Sequence, residues 1–192
     1  MAGDRPAFPR AANGYLERAR DADPAQAASL NSYYRNRAYV MTDLPKTEKL
    51  YLDDLAVGAE FNSEKYAVVA EEIHEFAKNF DPQPFHLDEE TARKTLFEGL
   101  IASGWHTAAI TMRLLVHSVP IAGGIIGAGG EITWPKPTKP GDVLHVVSAI
   151  VNISPSKSKP DRGIVTIQSH TLNQHGELCQ RLIAKVLVFR QR

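Results

Sequence analysis

One segment near the middle of the chain constrains the fold more than any other. From Gly104 to His117 the sequence reads GWHTAAITMRLLVH, with Ala108, Ala109, Ile110, Met112, Leu114, Leu115 and Val116 spread almost all round a helical projection. A helix with one apolar stripe lies on a surface; a helix apolar on most sides is enclosed by other elements. The segment opens near Gly104 and stops before Pro120. The enclosing elements come next. GGIIGAGGEITW leads into a run of prolines, and VLHVVSAIVNI puts Val143, His145, Val147, Ala149 and Val151 on one face at period two. IVTIQSHTL and CQRLIAKVLVF follow, joined by the polar stretches SPSKSKPDRG and NQHGE. β-Branched runs separated by polar turns read as an antiparallel meander. A buried helix followed by such strands is an α+β fold whose sheet must curl around the helix.

The front of the chain has a different texture. Residues 1–49 are rich in Ala, Arg, Asp and Pro, with little apolar periodicity. They are expected to form an N-terminal extension, partly helical or disordered, ahead of a globular domain at 50–192. Its Arg and Ala content is like that of a transit peptide, but Asp4, Glu17, Asp21 and Asp23 count against one. YLDDLAVGAEF reads as a short strand, a turn at Gly58 and the start of another strand, followed by KYAVV. EEIHEFAKNF is a helix with Ile73, Phe76, Ala77 and Phe80 on one face, ended by Asp81-Pro82. LDEETARKTLF is a second short helix, with Asp88 as its N-cap.

Bulk properties exclude several classes of function. The 192 residues carry equal numbers of acidic and basic side chains, so charge gives no reason to expect nucleic acid or an anionic membrane as partner. A single cysteine, Cys179, rules out an internal disulfide framework and fits a reducing compartment. There is no zinc-type spacing, phosphate loop, apolar signal core or membrane-length apolar run. The expectation is a soluble cytoplasmic protein.

Chemistry concentrates in DPQPFH, residues 81–86. Pro82 and Pro84 bar a continuous helix and favour a bent, rigid path. Fully extended, Asp81 and His86 would stand about 17 Å apart. If the loop curls, both heads converge on one water, and such a pair can supply hydroxyl and proton to a double bond or reverse that reaction. The plainer alternative is a turn in which Asp81 satisfies nearby N–H groups and His86 packs. Ser103-Gly104 then opens the buried helix. Unpaired N–H groups there suit a developing negative charge, such as a thioester oxygen when C2 becomes enolate-like. Glycine admits close approach of a ligand, though it is also a good helix cap.

With these residues in place, the sequence resembles the MaoC-like dehydratases, or (R)-specific enoyl-CoA hydratases. That family carries the motif D-x-N-P-x-H followed by Leu-Asp. Here it stands as Asp81-Pro82-Gln83-Pro84-Phe85-His86-Leu87-Asp88, with Gln83 replacing the Asn. Ser103-Gly104-Trp105 stands where the family often has His-Gly-Met, and ITWPKPTKPGDVL looks like its strand-Pro-Gly-Asp signature. The resemblance covers about residues 51–190. It implies a hot-dog fold, an antiparallel sheet wrapped around a long central helix, and a homodimer. It implies that Asp81 and His86 are the catalytic acid/base pair holding the water, and that the Gly104 N–H polarises the thioester carbonyl. Gln83, Phe85, Ser103 and Trp105 would contact substrate, Trp105 being either a wall of the acyl tunnel or a core residue. The reaction implied is reversible syn hydration of a trans-2-enoyl-CoA to an (R)-3-hydroxyacyl-CoA, with acyl-CoA as substrate and no metal or redox cofactor. Two alternatives stand beside it. One is a hot-dog thioesterase, disfavoured because the central helix carries no Asp or Glu; the other is a non-catalytic acyl-thioester-binding module.

The remaining candidates have ordinary structural readings. His74 falls on an exposed helix face, His117 can cap a helix end, and His106 packs. His145, His170 and His175 lack metal-ligand spacing. Cys179 is structural. The basic loop SKSKPDR is either a contact for CoA phosphates or a solvated turn.

Overall fold

The computed structural model describes residues 48–192. Apart from residues 48 and 49, the expected extension lies outside the described residues. A short 3-10 turn at Leu52–Asp54 is followed by strands β1 (Glu60–Asn62) and β2 (Tyr66–Ala67). Helices α1 (Ala70–Phe80), α2 (Pro84–Leu87), α3 (Glu89–Arg93) and the long α4 (Gly104–Ser118) come next. Strands β3 (Ile126–Thr133), β4 (Val143–Pro155), β5 (Arg162–Leu172) and β6 (Leu178–Phe189) complete the order. The sheet runs β1-β4-β5-β6-β3, with β2 also on β4, and every strand pair is antiparallel. The expected meander is β4-β5-β6. Strand β3 precedes it in sequence but lies at its far edge, beside β6.

Period-two patterning decides which side of the sheet meets the helix. Val165, Ile167, Ser169 and Thr171 on β5 are buried, as are Leu144, Val146, Ser148 and Ile150 on β4 and Val186 and Val188 on β6. Register shifts at Ile150/Asn152, Gly127/Gly130 and Thr171/Leu172 bend the strands. Gly130 permits the β3–β6 crossing, because a Cβ there would stand 2.4 Å from the Ile183 carbonyl oxygen. Helix α4 lies in the concavity, the hot-dog arrangement. Its Ile110, Leu114 and Leu115 join Val146, Ile150, Val165, Ile167, Val186 and Val188 in one apolar cluster. Full burial of each such side chain stabilises by roughly 1.5–3 kcal/mol.

Several expectations need correction. Helix α4 is not enclosed on all sides. Trp105, Ala109, Met112 and Val116, at i, i+4, i+7 and i+11, form an exposed stripe, with Trp105 62% and Met112 43% accessible. The sheet and α1 cover only the other faces. The first segment expected as a strand is the 3-10 turn instead, because the Asp54 carboxylate accepts the Tyr51 N–H at 2.8 Å and closes the chain locally. Phe80 is 74% exposed although it shares a face with the buried Ile73 and Ala77, since α1 has run past the core by its last turn. His74 is half-buried, not exposed. Among the described residues, no helix is long and apolar enough to cross a membrane.

Candidate active site

Helix α1 ends where Pro82 forbids its continuation. The Asp81 N–H still bonds the Ala77 carbonyl at 2.9 Å, and the Gln83 N–H then bonds the Asp81 carbonyl at 2.7 Å, turning the chain back. Pro84 was expected to keep this stretch out of helix. It instead opens α2 as that helix's first residue, where the missing N–H would have no partner anyway. One helical turn then carries His86 inward to 4% exposure. Immediately after, Asp88 caps α3 by accepting the Thr91 N–H at 2.7 Å, as its sequence position suggested. The result is a curled loop in which His86 Nε2 and Asp81 Oδ2 are 3.4 Å apart. That is too long for a strong hydrogen bond and short enough for both to hold one water.

Both heads are fixed from behind. His86 Nδ1 lies 2.8 Å from the Ile101 carbonyl oxygen. A carbonyl only accepts, so Nδ1 carries a proton there, and Nε2 is the ring nitrogen that faces Asp81. Phe85 stands edge-on to the imidazole at 4.5 Å and packs on Phe97 at 5.3 Å. Asp81 receives the Ser103 hydroxyl at 2.6 Å and the Gln83 amide at 2.8 Å. The Ser103 bond, then the Gln83 bond and the nearby His86, hold its carboxyl below the usual carboxylate range despite the opposing desolvation. Ser103 Oγ also accepts the Trp105 N–H at 3.1 Å, capping α4. One hydroxyl thus ties the Asp81 carboxylate to the start of the central helix.

Gly104 is the first residue of α4, and among the described residues its N–H has no hydrogen-bond partner. A Cβ at this position would stand 2.8 Å from Cε2 of the Trp134 indole. Asp81, Gln83, His86, Gly104 and Trp105 all line one cleft of about 660 Å³, with Trp134 as a further wall and Lys136 and Lys139 at its edge. The sequence-derived site is therefore brought together with two exceptions. Phe85 lies behind His86, between the imidazole and Phe97, and Ser103 is buried beneath Asp81; neither lines the cleft. Their contacts are with the pair itself. The longer Gln83, in place of Asn, is accommodated because its amide reaches Asp81 directly.

Three features escaped the sequence reading. The Ile101 carbonyl and the Trp134 ring are distant in sequence from Asp81 and His86, and although Trp134 stands in the ITWPKPTKPGDVL signature, no local pattern announces either contact. The basic loop SKSKPDR joins β4 to β5 at the end of β4 remote from the cleft; Lys136 and Lys139 line the cleft instead, Lys136 paired with Glu177 at 3.1 Å. Asp142 of the Pro-Gly-Asp signature is buried, where desolvation raises its pKa, and it accepts the Lys139 N–H at 2.7 Å, shaping the loop that edges the cleft. His106 is buried and stacked on Phe76 at 4.8 Å, and burial pushes its pKa down to about 4, so it is neutral near pH 7. Burial pushes the Cys179 thiol up to about 11, far from a reactive thiolate. No group of three or more His, Cys, Asp or Glu among the described residues is placed to hold a metal.

Comparison with known proteins places these residues in context. The family model for the MaoC like domain matches residues 54–172. Among solved structures, a MaoC-like dehydratase from Rhodospirillum rubrum is 64% identical, with a TM-score of 0.73, covering 74% of this chain and 99% of that one. YdeM of Bacillus subtilis, an uncharacterized protein, is 36% identical over 126 residues, which are 64% of this chain and 87% of YdeM. A 3-hydroxybutyryl-CoA dehydratase of Methylorubrum extorquens is 27% identical over 117 residues, 60% of this chain and 73% of that protein.

Proposed function

The chain belongs to the MaoC-like domain family, and on that premise we propose that it is a hydro-lyase adding water reversibly to a trans-2-enoyl-CoA to give an (R)-3-hydroxyacyl-CoA. The observation that carries this reading is the Asp81–His86 pair, 3.4 Å apart at the wall of a cleft that also holds the unpaired Gly104 N–H. A relative named as a 3-hydroxybutyryl-CoA dehydratase supports the same chemistry and a CoA thioester as substrate.

In the proposed reaction a water donates to Asp81 Oδ2 and His86 Nε2, turning a lone pair toward C3. As the C3–O bond forms, the C2=C3 electron pair moves onto the thioester, and the enolate oxygen accepts the Gly104 N–H. A donor so placed contributes roughly 2.7–4 kcal/mol to transition-state stabilisation. The water proton passes to Nε2, the one ring nitrogen not committed to Ile101. The imidazolium, stabilised by ionised Asp81, returns that proton to C2. Oxygen and hydrogen reach the same face because one group handles both. Dehydration is the reverse.

In the same reading, Lys136 and Lys139, which line the cleft, meet the anionic part of CoA. The exposed stripe Trp105, Ala109, Met112 and Val116 is the face we assign to a second copy of the chain in a homodimer, in keeping with the charge-poor core of such interfaces. The thioesterase alternative finds no carboxylate on α4. Incubation with crotonyl-CoA, following both enoyl-thioester absorbance and free thiol, separates the readings. Loss of absorbance without thiol is expected. Thiol release without hydration would establish the thioesterase, and binding without turnover the non-catalytic module.

A further inference from the structure

Trp134 has no role in the mechanism above, yet its ring contacts Gly104, Gln180 and Trp105. It follows β3 directly and is 39% exposed. Three of its ring atoms lie 2.8–3.2 Å from where a Cβ on Gly104 would be, so the indole packs flat against a glycine that lines the cleft. Its Nε1–H donates to Gln180 Oε1 at 2.8 Å, and Gln180 is fully buried on β6. Trp105 meets it edge to face, with ring centroids 5.4 Å apart. The ring is therefore held at its nitrogen by Gln180 and against a second indole, while part of it lines the cleft.

We infer that Trp134 is a specificity-determining residue: a fixed aromatic platform that seats the flat, conjugated part of an α,β-unsaturated acyl thioester beside Gly104 and disfavours saturated acyl groups of equal length. This inference rests on the hydro-lyase reading. Any carbonyl oxygen accepting the Gly104 N–H lies about 2.7–3.1 Å from that nitrogen, and so next to the indole that covers the same residue. An enoyl thioester is planar from its sulfur through C3, and flat π systems gain from offset stacking on an aromatic face. The enolate keeps that planarity through C2, whereas a saturated chain is puckered and offers only edge contacts. Gln180 acts through Trp134 as a positioning residue. Substitution of Gly104 by any larger residue would displace the platform, a reason for glycine here beyond close approach to the substrate.

The chain has two tryptophans, Trp105 and Trp134, so Trp105→Phe leaves Trp134 as the sole indole reporter. In an Asp81→Asn, Trp105→Phe protein, slowed enough for binding to be read before turnover, crotonyl-CoA is expected to change Trp134 emission saturably, beyond the change given by CoA alone. In the Asp81→Asn background, crotonyl-CoA is expected to bind roughly two- to tenfold tighter than butyryl-CoA, the size of an aromatic stacking contribution. Trp134→Leu should erase that preference while butyryl-CoA binding stays within about twofold by the same reasoning. Trp134→Phe, which keeps a flat face if the leucine variant folds poorly, should retain part of it. Gln180→Met should shift Trp134 emission and raise KM more than it lowers kcat. Hydration by the wild-type protein together with an unchanged preference in Trp134→Leu would overturn the platform alone. Emission of Trp134 indifferent to saturating crotonyl-CoA would do the same. Absence of hydration by the wild-type protein would remove the hydro-lyase reading and the platform together.

Discussion

Toward its C-terminus, α4 sinks Leu114 and Leu115 into an apolar cluster with Val146, Ile150, Val165 and Val186. Toward its N-terminus, the same helix turns hydroxyls inward. Ser103 bonds Asp81, Thr107 bonds Thr138 at 3.0 Å, and Thr111 meets Thr171 at 2.7 Å. The sheet follows suit, with Ser148 and Ser169 paired at 2.9 Å and Gln180 buried nearby in sequence to Cys179. The polar end carries a burden the apolar end does not. Among the described residues, His106 Nδ1 and Gln180 Nε2 are buried without a hydrogen-bond partner, and each such group costs about 1–3 kcal/mol. The difference teaches a division of labour. The apolar half supplies stability through area, which tolerates small displacements. The polar half supplies direction, which holds Asp81, His86 and Gly104 in the arrangement that the proposed proton transfer and oxyanion donor require.

The largest expected effect sharpens this division from the polar side. Asp81→Asn and His86→Ala should each lower kcat for crotonyl-CoA hydration by about 10²–10⁴-fold, the range for a positioned acid or base, with only a small change in melting temperature. From the apolar side, Leu115→Ala should destabilise by about 2–5 kcal/mol through lost burial and a residual cavity, measured by denaturant unfolding. The folded fraction should keep kcat within a few-fold, by the same separation of roles. A Leu115→Ala protein that stayed as stable as the wild type, or lost kcat as His86→Ala does, would break the comparison.

The cost of the polar end should be visible as pH dependence. His106 has a pKa of about 4 in the folded chain against an ordinary 6.5. The unfolded chain therefore binds this proton first, so the stability contribution is fully present above pH 6.5 and is lost as pH falls through about 4. The loss should be on the order of 2–3 kcal/mol. His106→Phe, which keeps the stack on Phe76, should flatten the decline across that window in pH-dependent unfolding. Smallest is Ser103→Ala. Loss of the α4 cap should cost about 1 kcal/mol at any pH. A further loss appears above pH 3.8, because Ser103 helps hold the Asp81 carboxyl below that value, and it vanishes as pH falls through the folded-state pKa.

How much of this was legible depended on distance along the chain. The meander was legible because period two is a local pattern, and the cap at Asp88 because it is a three-residue interaction. The Asp81–His86 pair was legible because a single rigid loop holds both. Ser103 was singled out as a substrate contact, but its bond to Asp81 spans 22 positions and no local pattern announces it. The same holds for His86 with Ile101, and for Trp134 with Gln180 across 46 positions. The exposed stripe on α4 was misread for a different reason. An apolar face demands cover, but the sequence does not say whether the same chain provides it. Pro84 was misread as a helix breaker because its effect depends on position: at a first helical residue it removes nothing.

The central claim is that Asp81 and His86 act as one unit on one water, and a double-mutant cycle tests it most directly. Initial rates of crotonyl-CoA hydration are measured for the wild type, Asp81→Asn, His86→Ala and the double variant. If the two groups share the water, the double variant should be no slower than the slower single variant by more than a few-fold, because groups acting as a unit are strongly non-additive. Losses that multiply would show two independent contributions and contradict the shared water.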